Sequence, residues 1–414
     1  MIYNIGDKIP NKKLILFALQ MVLSVFVASV LIASICGVNV SAALVGAGLS
    51  TLTYGLITHR QSPMFISNSG AFVAPVLMAL TVAGYTGVAI GGLITCIVYC
   101  IFGFIFSRVP LSNIYKVMPV PIIGSITCVI GLTLMSFIPS YVQINGENNQ
   151  WGVIVALVTM VSIAIFSHYA KGILKILPLM LGTLVGYGFS ALLTINGVCD
   201  LIDFSVFNNI DFFCIPEFSF TKFESVKFAT VIPVIIVYIA YSMSAICECI
   251  SDHAALSSII GVDLFRVPGL GKIFVGEGVA NLVGSCVGGL GQCSYGESCA
   301  TIGFSKVAAR SVTTCAAIML ALMGFVAPIQ IFIKSIPSCV FGGCAIILYG
   351  FIACSGIKML KQVDLNEQKQ LIIVSTILSI GISGIILGNN VVTFSGTALA
   401  LIVGILLNIF LKNK

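Results

Sequence analysis

Charge is what this sequence has least of. Only 8% of its 414 residues are Asp, Glu, Lys or Arg, while 58% are hydrophobic and the mean hydropathy is +1.13. A water-soluble domain carries about 25% charged residues, so too few are present to clothe a soluble surface. Histidine is scarcer still: His59, His168 and His253 are the only three. All fall where the hydropathy pattern puts cytoplasmic membrane edges. Beside Cys247 and Cys249 no histidine or second cysteine pair stands at metal spacing. Without a nucleophile and base, or a metal cluster, the chain does not read as a membrane-embedded enzyme, and nothing calls for a metal or a cofactor. A Gly-rich phosphate loop ending in Lys-Ser or Lys-Thr is also missing, which argues against a nucleotide-driven pump. The fifteen cysteines do not read as a disulfide scaffold. Most, such as Cys96, Cys128 and Cys344, lie inside apolar runs, where they behave as small hydrophobes.

Apolar stretches of about 20 residues, enough to cross a bilayer as a helix, recur along the whole chain. Clear examples are 14–36, 88–106, 153–166, 231–246, 315–333 and 393–411. The first reads as an uncleaved span, because the rest of the chain is equally apolar. The class is an all-α polytopic membrane protein, residues 1–414 forming one membrane transport domain of about a dozen spans by hydropathy. Its partners are the lipid bilayer and a small solute. The net charge of +6 is a topology signal, not a nucleic-acid signal. With the N-terminus inside, 17 of the 20 Lys and Arg residues fall on one side. They include Lys8, Lys12, Lys13, Arg60, Lys116, Lys175, Lys306, Arg310, Lys358, Lys412 and Lys414; Lys222, Lys227 and Lys334 fall opposite. That makes the crowded side cytoplasmic, with both termini there and an even number of spans. The polar stretch 196–227, with Asp200, Asp203, Asp211, Glu217 and Glu224, reads as an external loop.

Two apolar regions are broken. Residues 64–82 contain Ser67-Asn68-Ser69-Gly70, then Ala71 to Pro75; residues 273–304 contain Gly288-Gly289-Leu290-Gly291-Gln292-Cys293-Ser294-Tyr295-Gly296-Glu297. Irregular backbone survives at bilayer depth only where protein covers it or where it lines a cavity. A matched pair of interrupted segments in the two halves points to a transporter site between repeats.

A carboxylate at bilayer depth costs several kcal/mol (~2.5 or more on insertion scales) and marks function by default. Glu248, Asp252 and Glu297 are such acids. Asp252 follows Glu248 by four residues, so a continuing helix puts both on one face, where they titrate as a unit and form a proton-loading site. The alternative is that Asp252 has already reached cytoplasmic water. Glu277, shortly after Lys272, reads as facing that water. Glu297, beside Gly296 and Tyr295, sits where a short helix would start, with free amides pointing into a cavity. An acceptor beside free donors suits a planar ligand with alternating N–H and C=O groups, such as a nucleobase. A capping glutamate in the first turn is the alternative.

At these residues the sequence resembles the nucleobase–ascorbate transporter (nucleobase:cation symporter-2) family, and within it the bacterial uracil permeases. Glu248-Cys249-Ile250-Ser251-Asp252-His253 and Val262 to Leu270 resemble the family's eighth span and the loop after it. Ser294-Tyr295-Gly296-Glu297-Ser298 resembles the tenth, in its Tyr-Gly-Glu form. Ile347-Leu348-Tyr349-Gly350, with Ala353 to Ile357, resembles the twelfth, and Ser69 to Pro75 the third. The resemblance implies 14 spans in two inverted seven-span repeats, about 10–196 and 226–412. Spans 1–4 and 8–11 would form a core, spans 5–7 and 12–14 a gate, and spans 3 and 10 would each be a short strand plus a half-length helix. It further implies a homodimer in the plasma (inner) membrane, driven by protons through elevator-like alternating access. Glu248 and Glu297 would hydrogen-bond the base. Backbone amides at Gly70 and Gly296, with Ala71 and Phe72 alongside, would contact it, and Tyr295 and Tyr349 would line the pocket. Glu248 and Asp252 would carry the proton.

Three positions depart from the uracil-permease pattern. Asp252 stands where a histidine is usual, Met21 where another is common, and Gly70 where a phenylalanine is common. They move coupling toward a Glu–Asp pair and open the pocket. The leading expectation is proton-coupled uptake of uracil or a similar pyrimidine. A purine permease for xanthine or uric acid is the runner-up. An anion exchanger or channel of the same architecture would not need two buried carboxylates.

Overall fold

The computed structural model describes residues 1–108, 119–144, 147–172, 174, 177–208, 212–385, 387–388, 393–394 and 396–411. Of the charged residues above, Lys116, Lys175, Asp211, Lys412 and Lys414 lie outside them. Helices dominate: α1 (Asn11–Ile35), α2 (Val40–Ile57), α3 (Val73–Arg108), α4 (Val120–Leu134), α5 (Gln150–Tyr169), α6 (Pro178–Ile195) and α7 (Phe228–Ile260). They continue with α8 (Leu270–Gly288), α9 (Gly296–Ser305), α10 (Arg310–Met323), α11 (Ser338–Leu360), α12 (Gln368–Ile382) and α13 (Gly396–Phe410). Among the described residues, nine helices are long and apolar enough to cross a membrane, and three further apolar helices are shorter.

Helix boundaries follow local chemistry. The Asn39 side chain accepts from Ala42 N and opens α2, and prolines at the first turn open α4 and α6. Gly261 and Gly289, both left-handed, close α7 and α8. Within α3 the backbone leaves helical geometry at Ala83 and Gly84, where φ is +58° at Gly84, so the element is a short helix followed by a full-length one. α5 exposes Val153, Leu157, Val161 and Ile165, one apolar row four residues apart, and buries Gly152, Val155, Ala156, Thr159 and Ile163. An apolar stripe turned outward is what a lipid-facing helix presents, whereas in water it would be hidden.

Of the three two-stranded sheets among the described residues, the one inside the bundle is formed by β1 (Ile66–Asn68) and β2 (Gln292–Ser294). They pair antiparallel, with Ile66 opposite Ser294, Ser67 opposite Cys293 and Asn68 opposite Gln292. The two broken segments therefore cross each other inside the bundle, each as a strand leading into a helix. Most of their spare polar groups find partners in the protein; the Gln292 Oε1 is buried without one among the described residues. Gln292 Nε2 donates to Asn68 Oδ1 (2.7 Å), Asn68 Nδ2 to Ser29 O (3.1 Å), Asn281 Nδ2 to Gln292 O (2.7 Å) and Thr51 Oγ1 to Ile66 O (2.6 Å). Away from water these partners are what permits non-helical backbone. A Cβ on Gly284 would lie 2.1 Å from Gln292 Cγ, so only glycine lets α8 approach the strand crossing.

Around this crossing α8 packs on α2 and α3, α10 on α1 and α2, and α7 on α3. A second group packs α4 and α5 on α11, α12 on α4 and α13, and α5 on α6. The N-terminal segment lies against the start of α10, through Ile2 N to Lys306 O (2.7 Å) and Arg310 N to Ile5 O (3.1 Å). Beyond the other end of α10, Cys214 N donates to Phe325 O (3.1 Å), so the 196–227 loop covers the opposite end of the bundle.

Candidate functional site

Helix α7 runs unbroken through Ile260, well past the apolar run that suggested it. Asp252 is therefore still helical, one turn after Glu248 and on the same face. Both line a cavity of about 280 Å³ with Glu297, Gly296, Tyr295 and Ser294 of the β2–α9 segment. Ser69 and Gly70 close it from the β1–α3 segment, Ile32 and Thr127 from α1 and α4, and Tyr349, Ser355 and Lys358 from α11. The volume is at the small end of small-molecule sites, roughly 300 Å³ upward.

Two helix starts meet at this cavity. Ser69 Oγ accepts from Ala71 N (3.2 Å) and caps the turn Gly70–Phe72 that leads into α3. Tyr295 is the N-cap of α9, which puts Gly296 and Glu297 in its first turn. First-turn amides have no helical acceptor, and the positive end of the helix dipole favours an acceptor group there. Two carboxyl groups, Glu248 and Asp252, reach the cavity from α7, and the third, Glu297, belongs to the first turn of α9 itself. Ser294 Oγ donates to Asp252 Oδ2 at 3.1 Å. A Cβ on Gly296 would come within 3.7 Å of Asp252 Oδ1, so a side chain there would occupy the space between them. Glu248 Oε2 and the Tyr349 hydroxyl are buried without a hydrogen-bond partner among the described residues. An orphaned polar atom lining a cavity is a contact waiting for a ligand. The site thus brings amide donors at two helix starts together with carboxyl acceptors from α7 and from the first turn of α9.

Of the residues singled out from sequence, Glu248, Asp252, Glu297, Gly296, Tyr295, Gly70 and Tyr349 come together here. Ala71 and Phe72 do not line this cavity. Ala71 lines a neighbouring one with Ile130 and Tyr241, and Phe72 is 1% exposed and stacks on Tyr238, ring centroids 6.1 Å apart. Thr127, Ser294, Ser355 and Lys358 were not foreseen. Thr127 comes from α4, outside every quoted motif, whereas Ser294 lies in the motif of the tenth span and Ser355 and Lys358 lie in and directly after that of the twelfth. A further cavity of about 310 Å³ between α1, α6 and α11 is lined almost wholly by apolar side chains such as Phe26, Met180 and Phe332, and has little to orient a polar solute.

Two expectations fail. Glu277 does not face cytoplasmic water: it is 1% exposed, two turns into α8. His253 is not at a membrane edge: it is fully buried one turn after Cys249, its Nε2 2.7 Å from the Tyr54 hydroxyl and its Nδ1 2.9 Å from Cys249 O. A histidine does, moreover, stand at metal spacing from Cys249, contrary to the sequence expectation. Donor atoms of Cys249, His253 and Glu277 lie within 4.8 Å of one another. Both imidazole nitrogens are committed to hydrogen bonds, however, so the cluster reads as a hydrogen-bonded network. All fifteen cysteines are free thiols.

Comparison with known proteins agrees with these motifs. Residues 12–388 match the profile of the xanthine/uracil permeases, described as a permease family. The chain is 30% identical over 419 residues to a uracil permease of Bacillus caldolyticus, covering 100% of this chain and 95% of that one. It is 30% identical over 415 residues to the uracil permease of Escherichia coli K12, covering 99% and 93%. Among solved structures, the murine anion transporter Slc26a9 in its inward-facing state superposes with a TM-score of 0.67 at 12% identity, covering 97% of this chain and 69% of that one. The transmembrane domain of the cyanobacterial bicarbonate transporter BicA gives 0.61 at 16% identity, covering 99% and 100%. Identities this low establish a shared fold and nothing about the solute. The chain is a multi-pass membrane protein that belongs to the nucleobase–ascorbate transporter family of permeases and is uracil-permease-like in sequence.

Proposed function

We propose that this permease takes up uracil, or a similar pyrimidine base, together with protons. The observation that carries this reading is the cavity that Glu248, Asp252 and Glu297 line together with the helix starts at Gly70 and Gly296. A pyrimidine-dione alternates ring N–H donors with C=O acceptors around one edge. The carboxylates of Glu248 and Glu297 accept from the N–H groups, and the amides at Gly70 and Gly296 donate to the carbonyls. Tyr295 and Tyr349 border the ring. Relatives carrying the uracil-permease name over nearly the full chain length support this choice of base.

Glu248 and Asp252, one turn apart on α7, would share the coupling proton. Two ionised carboxyl groups in so small a cavity repel each other, and a proton on the pair removes that repulsion before the site moves. The helix contacts also support two inverted repeats, about 10–196 and 226–412. Packing of α3 on α8 is matched by α10 on α2, α3 on α7 by α10 on α1, α5 on α11 by α12 on α4, and α5 on α6 by α12 on α13. Each pair maps onto its mate when the first half is overlaid on the second. Counting each strand–helix segment as one span and dividing α3 at Gly84 gives 14. The core then holds α1–α3 and α7–α10 and the gate α4–α6 and α11–α13, with the solute held between them. Elevator-like movement of the core, a homodimer, residence in the plasma membrane and cytoplasmic termini complete the proposal. The N-terminal contact with the Lys306–Arg310 turn supports one shared basic face.

A purine is the second reading, because Gly70 lines the cavity where a phenylalanine is common in uracil permeases and brings no aromatic side chain to it. An anion as solute fits the shared fold but not three carboxyl groups at the cavity. Calorimetric titration of the purified protein with uracil, thymine, xanthine, uric acid and adenine decides among them. Saturable binding of uracil with no response to the purines supports the proposal; xanthine or uric acid binding more tightly than uracil rejects it in favour of the purine reading.

A further inference from the structure

Behind the substrate cavity lies a group of buried titratable side chains that base binding does not use. Glu277 is 1% exposed and its Oε1 has no hydrogen-bond partner among the described residues. The groups facing it are Tyr54 of α2, Tyr99 of α3, Glu248, Cys249, Asp252 and His253 of α7, and Cys293 of β2. None is a lysine or arginine, and among the described residues His253 is the sole group able to balance a charge on Glu277, with Nδ1 3.9 Å from Oε1. His253 Nδ1 lies 2.9 Å from Cys249 O. A carbonyl only accepts, so Nδ1 carries a hydrogen and donates it. Nε2, 2.7 Å from the Tyr54 hydroxyl, then accepts if the ring is neutral and donates if the ring is charged.

This geometry limits the proton count. An ionised Glu277 beside a neutral His253 would be an uncompensated charge sealed away from water, the costliest of the possible arrangements. Two arrangements avoid it: a protonated Glu277 beside a neutral ring, or a carboxylate beside an imidazolium. Both hold one proton more than the excluded state. From Glu277 a line of exchangeable groups leads back to the cavity. Cys293 Sγ lies 3.9 Å from Glu277 Oε2 and 3.8 Å from Ser294 Oγ, and Ser294 Oγ lies 3.1 Å from Asp252 Oδ2.

We infer that Glu277 and His253 form a sealed proton-holding pair, joined to the cavity acid Asp252 through Cys293 and Ser294. A proton leaving Asp252 passes to Ser294 as that hydroxyl releases its own toward Cys293, and the thiol does the same toward Glu277. Asp252 ends as the carboxylate and Glu277 as the neutral acid, while Ser294 and Cys293 each gain one proton, lose one and end as they began. The pair is thus a second proton site in series with the cavity acids. Its role in transport rests on the proton-coupled reading above; its occupancy does not.

The test is infrared spectroscopy of the full-length protein in nanodiscs at neutral pH, with ring-15N histidine label and exchange from H2O into D2O. The expected result is either a protonated-carboxyl C=O band or an imidazolium signature that disappears in Glu277→Gln and persists in Asp252→Asn. Finding a carboxylate at Glu277 together with a neutral His253 ring overturns the inference. The wild-type spectrum already decides this if Glu277→Gln fails to fold. Cys293→Ala should slow deuterium exchange of that proton severalfold; unchanged exchange removes the relay. In proteoliposomes Glu277→Gln should keep base exchange and lose accumulation driven by a pH gradient, and retained accumulation removes the transport role. Wild-type protein that shows the infrared signal but no gradient-driven uptake would sink the coupling reading alone.

Discussion

The hydroxyl of Ser294 donates to the carboxyl of Asp252 across 3.1 Å, tying the strand of one broken segment to the helix that carries Glu248. With this contact Asp252 lines the candidate cavity and stays within α7, not in a loop after it. Asp252→Asn keeps an acceptor for Ser294, so stability should change by less than about 1 kcal/mol, the scale of one neutral hydrogen bond. If Glu248 and Asp252 share a coupling proton, as proposed, the pH dependence of uptake should flatten, because one of the two carboxyl groups is gone. Initial uptake rates across a pH series would measure this. A profile superimposable on wild type would leave Asp252 without a part in coupling.

Glu297 stands in the first turn of α9 at the cavity. If its carboxylate accepts a ring N–H, Glu297→Gln exchanges a charge-assisted hydrogen bond for a weaker neutral one. The loss should be about 1.5–3 kcal/mol, roughly ten- to a hundredfold in affinity. Calorimetric titration with uracil reads it directly, and wild-type affinity would reject this contact.

Close packing at the strand crossing gives a stability prediction independent of the solute. A Cβ on Gly284 would meet Gln292 Cγ at 2.1 Å, whereas one on Gly55 of α2 would meet nothing within 4 Å. Gly284→Ala should therefore destabilise by about 1–3 kcal/mol through overpacking. Gly55→Ala should stabilise by about 0.5–1 kcal/mol by restricting the unfolded chain. Thermal unfolding in one detergent compares the two, and equal melting temperatures would contradict the crossing geometry.

In the loop at the opposite end from the N-terminal segment, Lys222 donates to Glu217 at 2.6 Å and holds that carboxyl below its ordinary range, by the hydrogen bond first and by charge second. A depressed folded value contributes stability above the ordinary glutamate range and loses it as pH falls through the lowered value. Both groups are well exposed and screened by salt. Glu217→Gln should leave the melting temperature unchanged at physiological ionic strength, with a small drop only near neutral pH in low salt. A large drop in high salt would mean that the pair anchors the loop.

Much of the site was legible because bilayer depth makes polar residues conspicuous. The Gly- and Ser-rich breaks around Gly70 and Gly296 could not be regular apolar helices, and they are the strand-to-helix turns at the cavity. Glu248 and Glu297 stood out for the same reason. Glu277 reads as water-facing from sequence because Lys272, five residues earlier, suggests nearby water, yet it is buried. The packing face of α8 carried the contrary signal: Ile273, Glu277, Asn281 and Ser285 recur every four residues, and all are buried. His253 follows Cys249 by one turn and shares its buried face. Phe72 could not be placed from its neighbour Gly70, because the turn into α3 aims it at Tyr238. Thr127 and Lys358 reach the cavity from helices that only tertiary packing brings near.

The central claim is that this cavity binds a pyrimidine and that its acids couple binding to protons. Uptake of labelled uracil into proteoliposomes, with and without an inward-directed proton gradient and in competition with unlabelled xanthine, uric acid, thymine and adenine, tests it most directly. The account predicts uptake that rises with the gradient, is blocked by unlabelled pyrimidine alone, and is lost in Glu248→Gln. Uracil uptake indifferent to the gradient, or no uptake by protein shown to be folded, would contradict it.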